Sequence, residues 1–273
     1  MMRRLALAVV LAAALCALKA QAQTCTLAIT SPLSFGTYTG AQIRSSTPFK
    51  VTCTGSWDIT MGTGTGAGAT ETTRYLTGPN GAELSYQLYQ DSAYSVNWGN
   101  TYPTNTYNGT GNLSAYIYAQ LNANQIEPPG TYTDTVLSTT TSFSLTVTIQ
   151  ANCTISANAL SFGQYSRALL KANTTLSVTC TDTTPYNVGL NAGTASGATV
   201  TNRMMTGPSG QLLHYSLFSN SAYSTNWGNS SGSWVSGTGT GSAQTLTVYG
   251  EIPANQNTIS GTYTDTITAT VNY

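Results

Sequence analysis

The chain has 273 residues, nine Lys and Arg against nine Asp and Glu, and a charged fraction of only 7%. Beyond Arg3-Arg4 no two cations are adjacent, so nothing resembles a nucleic-acid-binding surface. Abundant Thr, Ser, Gly, Asn and Tyr suit strand faces and tight turns rather than helices.

Residues 1–22 read as an export signal. Arg3 and Arg4 precede an apolar run from Leu5 to Leu18, and Ala20-Gln21-Ala22 is an A-x-A cleavage site leaving Gln23 first. The run is too short for a membrane span, which needs about 20 residues. Cys16 follows Leu15, where a lipoprotein signal would carry a small residue. Removing Arg3, Arg4 and Lys19 leaves six cations against nine carboxylates, a net charge near minus three.

The rest repeats. Cys25, Phe35-Gly36, Tyr38 and Cys53 return as Cys153, Phe162-Gly163, Tyr165 and Cys180. Gly78-Pro79, Ser92-Ala93-Tyr94 and Asn97-Trp98-Gly99-Asn100 return 129 residues later, and Gly130-Thr-Tyr-Thr-Asp-Thr135 returns 131 later. A period of about 130 residues is a tandem domain, not a solenoid unit. The domains are therefore 23–150 and 151–273. Each has two cysteines, and in an exported chain these predict the disulfides Cys25–Cys53 and Cys153–Cys180, each contributing roughly 3–4 kcal/mol in the chain-entropy model. A metal site is the competing use of cysteine, but no Cys-x-x-Cys occurs and the one histidine is His214.

Short alternating runs follow one another: Phe49–Cys53, Leu84–Tyr89, Leu113–Tyr118, Leu176–Cys180 and Tyr263–Tyr273. About seven strands per domain predict an all-β protein of two tandem immunoglobulin-like sandwiches. Ser142–Ile149 sits between the copies, with Phe143, Leu145, Val147 and Ile149 on one face. The first copy has nothing equivalent before Cys25.

No catalytic constellation emerges. His214 reads as a strand surface residue, and Asp134 with its counterpart Asp265 as a turn or hydrogen-bonded strand end. Gly62-Thr-Gly-Thr-Gly-Ala-Gly68 lacks the lysine and helix of a phosphate loop and reads as a flexible loop. The chain is expected to be no enzyme and to use no cofactor or metal; two facing carboxylates in one cleft would revive a secreted hydrolase. Trp57, Met61, Tyr102 and Tyr107 lie in regions of the first copy that the second does not match closely, and are the candidate surface-binding residues, although Trp57 also suits a core position. Trp98 recurs as Trp227 and reads as structural.

Together, Cys, Phe-Gly-x-Tyr, the second Cys, Tyr86-Gln-Leu-Tyr89-Gln-Asp91 and the closing Gly-Thr-Tyr-Thr-Asp-Thr resemble the spore coat protein U domain family. The second copy departs at Tyr215-Ser-Leu-Phe218-Ser-Asn220. Members of that family serve as subunits of archaic, Csu-type chaperone-usher pili. The resemblance implies sandwiches that lack a final strand and receive it from a neighbour. It implies that 142–149 completes domain 1 in cis, and that domain 2 takes a strand from an adjacent pilin.

A chain that receives but does not donate implies a tip adhesin, exported through the periplasm to the cell surface and serving attachment and biofilm formation. Its implied partners are a periplasmic chaperone, an outer-membrane usher, the adjacent pilin and a surface receptor. The alternative is a coat or cell-surface protein that self-associates without a pilus.

Overall fold

A computed structural model describes residues 24–273; the expected export signal and Cys16 lie outside these residues. The described chain is all-β, with two single-turn 3-10 segments, Pro79–Gly81 and Pro208–Gly210.

Domain 1 holds β1 (Cys25–Ile29), β2 (Leu33–Thr37), β3 (Ile43–Cys53), β4 (Ser56–Ile59), β5 (Arg74–Thr77), β6 (Glu83–Tyr89), β7 (Tyr107–Thr110), β8 (Leu113–Leu121), β9 (Gly130–Leu137) and β10 (Ser142–Ile149). Eight of these form one sheet in the order β1-β3-β8-β6-β5-β9-β10-β2, while β4 and β7 form a separate ribbon. Strands β1 and β2 end opposite edges of that order, yet only three residues join them. The sheet must therefore curl back on itself and enclose its apolar face.

That enclosure runs through β10. It pairs antiparallel with β9 over its whole length, from Ser142 opposite Leu137 to Ile149 opposite Gly130. On its other side it runs parallel to β2, Leu145 opposite Leu33 and Thr148 opposite Thr37. Phe143, Leu145, Val147 and Ile149 are 6%, 0%, 1% and 6% exposed and join the domain 1 core. Period-two alternation explains this, since every second side chain points to the same face.

Domain 2 holds β11 (Cys153–Ala157), β12 (Leu170–Cys180), β13 (Pro185–Leu190), β14 (Arg203–Thr206), β15 (Leu212–Phe218), β16 (Val235–Thr238), β17 (Ala243–Ile252) and β18 (Ala269–Asn272). It divides into a five-stranded sheet, β11-β12-β17-β15-β14, and a three-stranded one, β16-β13-β18. The counterparts of β2 and β9 form no ladder. Of the predicted strand Tyr263–Tyr273, only Ala269–Asn272 is a strand, with a single bridge between Thr264 and Thr206 ahead of it. The reason is local: no described segment lies where β10 lies in domain 1, so this stretch has no partner on that side.

Both disulfides are present, each between directly paired residues of adjacent strands. Removal of Leu145's buried side chain tests what β10 contributes. Leu145→Ala is expected to lower domain 1 stability by about 2–5 kcal/mol in urea unfolding, with little change in the domain 2 transition.

Candidate functional site

In place of β10, domain 2 has a cleft of about 1080 Å³. One wall is the stretch from Ala157 to Tyr165, the other runs from Thr258 to Ala269, and Leu213, Tyr215, Leu217 and Val248 line the cleft between them. The side chains match those that β10 covers in domain 1. Leu33, Phe35, Tyr38, Tyr132 and Val136 are all buried there. Their counterparts Leu160, Phe162, Tyr165, Tyr263 and Ile267 are only half-buried. An apolar groove of this depth between two unpaired edges offers both backbone hydrogen bonds and side-chain pockets to an incoming strand.

Below each groove lies the same polar frame. In domain 1 the Asp134 carboxylate, buried in the middle of β9, accepts from the Thr65 N–H and hydroxyl at 2.7 Å each and from the Tyr86 hydroxyl at 2.6 Å. Asp265 in domain 2 accepts from the Thr194 N–H, the Thr194 hydroxyl and the Tyr215 hydroxyl at 2.8, 2.9 and 2.7 Å. Burial and the neighbouring carboxylate push both tyrosines well above the usual phenol range. Neither aspartate is a strand end: each is a mid-wall anchor. The glycine-threonine run is correspondingly not a free loop. Gly64, with φ +86°, passes so close to Asp134 that a Cβ would sit 2.0 Å from Oδ2, and Gly193 does the same at Asp265. The glycines allow close approach rather than flexibility.

A buried arginine ties the frame together. Arg74 donates to the carbonyls of Gly62, Glu71, Met61 and Trp98 at 2.7–3.1 Å, and Arg203 donates to those of Asn191, Val200, Leu190 and Trp227 at 2.6–3.0 Å. Desolvation lowers both guanidinium pKa values, to about 10 for Arg203, and nearby phenol and carboxylate groups oppose the shift. Sequence reasoning passed over both arginines; their recurrence 129 residues apart, just before Gly78-Pro79 and Gly207-Pro208, was the available signal.

The four candidate surface residues separate. Met61 is 1% exposed and belongs to the core, which removes it from any binding surface. Trp57 and Tyr107 are half-buried and stacked, centroids 5.9 Å apart, with the Trp57 indole N–H donating to the Gly111 carbonyl. Both pack against the core as a wall of the β4–β7 ribbon. Tyr102 alone stands out, 69% exposed. Its loop is tethered by Glu71, which accepts from the Thr101 hydroxyl and the Asn105 amide. His214 is a strand residue whose ring meets the Asn202 amide oxygen at 2.8 Å. Among the described residues no group of three potential metal ligands occurs.

The model of the Spore Coat Protein U domain matches twice, over residues 11–139 and 139–270. The chain belongs to this family. The second match begins at 139, so it takes in β10 as the leading segment of the second copy, whereas the division at 150 assigns that strand to domain 1. Protein U of Myxococcus xanthus is 32% identical over 138 residues, spanning 44% of this chain and 77% of that protein. Among solved structures, the CsuC–CsuE chaperone–tip adhesion subunit pre-assembly complex from Csu pili of Acinetobacter baumannii matches with a TM-score of 0.56 and 18% identity. That match covers 92% of this chain and all of the other. It places the two-domain, all-β architecture among pilus adhesin folds. The CupB6 tip adhesin of Pseudomonas aeruginosa matches with a TM-score of only 0.36 and 9% identity, over 91% of this chain and 93% of that one.

Two outcomes test the frame. Arg74→Met leaves several buried carbonyls unpaired and is expected to destabilise domain 1 by about 3–5 kcal/mol in denaturant unfolding. Desolvation raises the Asp265 pKa, but the hydrogen bonds from Thr194, Tyr215 and Thr266 outweigh it and hold the carboxyl below its ordinary value. Its stabilising contribution is therefore present above the unfolded-state pKa and lost as pH falls through the folded one. Thermal melts at successively lower pH below about pH 4 should show domain 2 weakening, with a shallower decline in Asp265→Asn.

Proposed function

We propose that this chain is a non-enzymatic adhesive subunit at the tip of a chaperone-usher pilus, assembled by strand donation. One observation carries the reading: a groove filled by β10 in domain 1 is open in domain 2, with equivalent apolar positions lining both. Domain 1, closed by the segment that leads into domain 2, is the outward, surface-attaching module. Domain 2 is the joint to the shaft and accepts the leading strand of an adjacent pilin. Until that strand arrives, a periplasmic chaperone covers the groove, because an exposed apolar sheet edge invites aggregation, and an outer-membrane usher exchanges one for the other. Attachment of this kind supports biofilm growth. The family membership and the likeness to a chaperone-bound tip subunit support this reading.

The similarity to Protein U supports a second reading, a coat or cell-surface component that associates with copies of itself. The two readings differ in whether the domain 2 groove requires a partner strand.

A peptide copying residues 140–150 separates them. Its eight β10 residues extend roughly 26 Å, the length of the domain 1 site. Added to the full exported chain at a hundredfold excess over its Kd, it should stabilise domain 2 by about 2.7 kcal/mol, a rise of roughly ten degrees in that transition alone. Phe162→Arg in the groove wall should abolish the rise. A domain 2 that melts at the same temperature with and without peptide would show that its groove needs no strand and would sink the pilus reading.

A further inference from the structure

The outward face of domain 1 carries a feature that domain 2 lacks. Strands β3, β8 and β6 lie side by side, and their solvent-facing residues form rows across the sheet. In register, Arg44 lies opposite Gln120, Ser46 opposite Tyr118, Pro48 opposite Tyr116 and Lys50 opposite Ser114, with Tyr89 of β6 beyond Tyr118. Tyr116 is 51% exposed and packs at a tilt against Tyr118, ring centroids 6.2 Å apart. The Arg44 guanidinium lies 4.2 Å from the centre of the Tyr94 ring, and its Nε donates to the Gln120 amide oxygen at 3.0 Å.

Charge is distributed unevenly. Domain 1 has three cationic side chains among its described residues, Arg44, Lys50 and Arg74. Arg74 is buried, so both cations that reach solvent stand on this one face, at its two ends. Six strand positions separate them, roughly 20 Å. The carboxylates at the two ends of β6 are engaged elsewhere. Asp91 accepts from the N–H groups of Ser95 and Val96 and the Ser95 hydroxyl within its own turn, and Glu83 accepts from the Ala67 N–H.

The same face of domain 2 shows which of these features the fold requires. Tyr118, Tyr94 and Tyr89 correspond to Tyr249, Tyr223 and Phe218, which make the same edge-on cluster. That cluster pins a loop in both domains and is structural. The rest differs. Lys171 and Glu251 form an ion pair at 3.4 Å where domain 1 has Arg44 and Gln120. Thr175 and Thr247 replace Pro48 and Tyr116, and Ser177 and Thr245 replace Lys50 and Ser114. Domain 1 has thus lost the neutralising carboxylate, gained a second cation and gained an exposed ring beside a proline.

We propose that this face binds an acidic polysaccharide. Sugar rings lie along the Tyr116–Pro48 stripe, where the aromatic face takes C–H edges, and carboxylate or sulfate groups meet Arg44 and Lys50. The choice of an anionic over a neutral glycan rests on the two solvent-facing cations and the missing carboxylate, in a chain whose exported part is otherwise acidic. The inference needs only domain 1 and stands apart from the pilus reading.

Polygalacturonate is a suitable probe, with dextran as the neutral control. The full exported chain should bind polygalacturonate in calorimetry at low salt, more weakly as ionic strength rises, and should ignore dextran. Tyr116→Ala should weaken binding about fivefold and Lys50→Gln about threefold, with the melting temperature unchanged in Lys50→Gln, whose side chain projects into solvent, and lowered by no more than a few degrees in Tyr116→Ala, whose half-exposed ring loses only its contact with Tyr118. Lys171→Gln, on the corresponding face of domain 2, should leave affinity unaltered. Absence of polygalacturonate binding would overturn the proposal. So would affinity indifferent to both Tyr116→Ala and Lys50→Gln, equal binding to dextran, or equal retention on phosphatidylglycerol vesicles, which would mark a surface that selects charge alone.

Discussion

A curled sheet has to be closed by something, and in this protein the closure is one eight-residue strand. Between β9 and β2 there is room for a single extended segment, and β10 fills it with backbone pairing on both sides and four buried side chains below. Neither flanking strand keeps regular pairing without it. Domain 2 displays the consequence within the same molecule: the stretches corresponding to β2 and β9 remain, with their apolar residues in place, yet they form no ladder and their side chains are half-exposed. Strand pairing and burial are one cooperative event here, and the missing strand removes both.

The polar frame beneath the groove does not depend on that closure. Arg74 and Arg203 gather carbonyls from three separate loops, and Asp134 and Asp265 receive a tyrosine hydroxyl and a threonine in both domains. Such groups are costly to bury unless every donor and acceptor finds a partner. Their persistence in the open domain leaves the groove with preformed walls even where its two edges form no ladder.

Each function proposed for the chain draws on a departure from the repeat rather than on the repeat itself. The groove differs because one domain has used the leading segment of the other. The outer sheet face differs because Tyr116, Pro48 and Lys50 replace Thr247, Thr175 and Ser177, and because Gln120 stands where Glu251 neutralises Lys171. The shared residues keep two copies of one fold intact, and the residues that changed face solvent or a neighbour.

Much of this was legible in the residues. The cysteine spacing, the recurring Asn-Trp-Gly and Gly-Thr-Tyr-Thr-Asp-Thr motifs and the alternation at Phe143, Leu145, Val147 and Ile149 are local patterns, and strand period and repeat length depend on nothing else. Burial of a given loop side chain is not local, which is why Met61 and Tyr107 read as candidate surface residues although Met61 is buried and Tyr107 packs against the core, whereas Trp57 also suited the core-facing position it takes. Nor does sequence distinguish a glycine that loosens a loop from one that lets backbone press against a carboxylate, as Gly64 does at Asp134. The sequence by itself determined a two-domain, all-β chain with a one-faced strand between the copies, because period and composition act over a few residues. Only the tertiary structure decided that this strand lies in the first domain, that the second is open, and that Arg44 and Lys50 share a face with Tyr116. Those facts follow from which strands become neighbours, and pairing across more than 60 residues is set by the closure of the whole sheet.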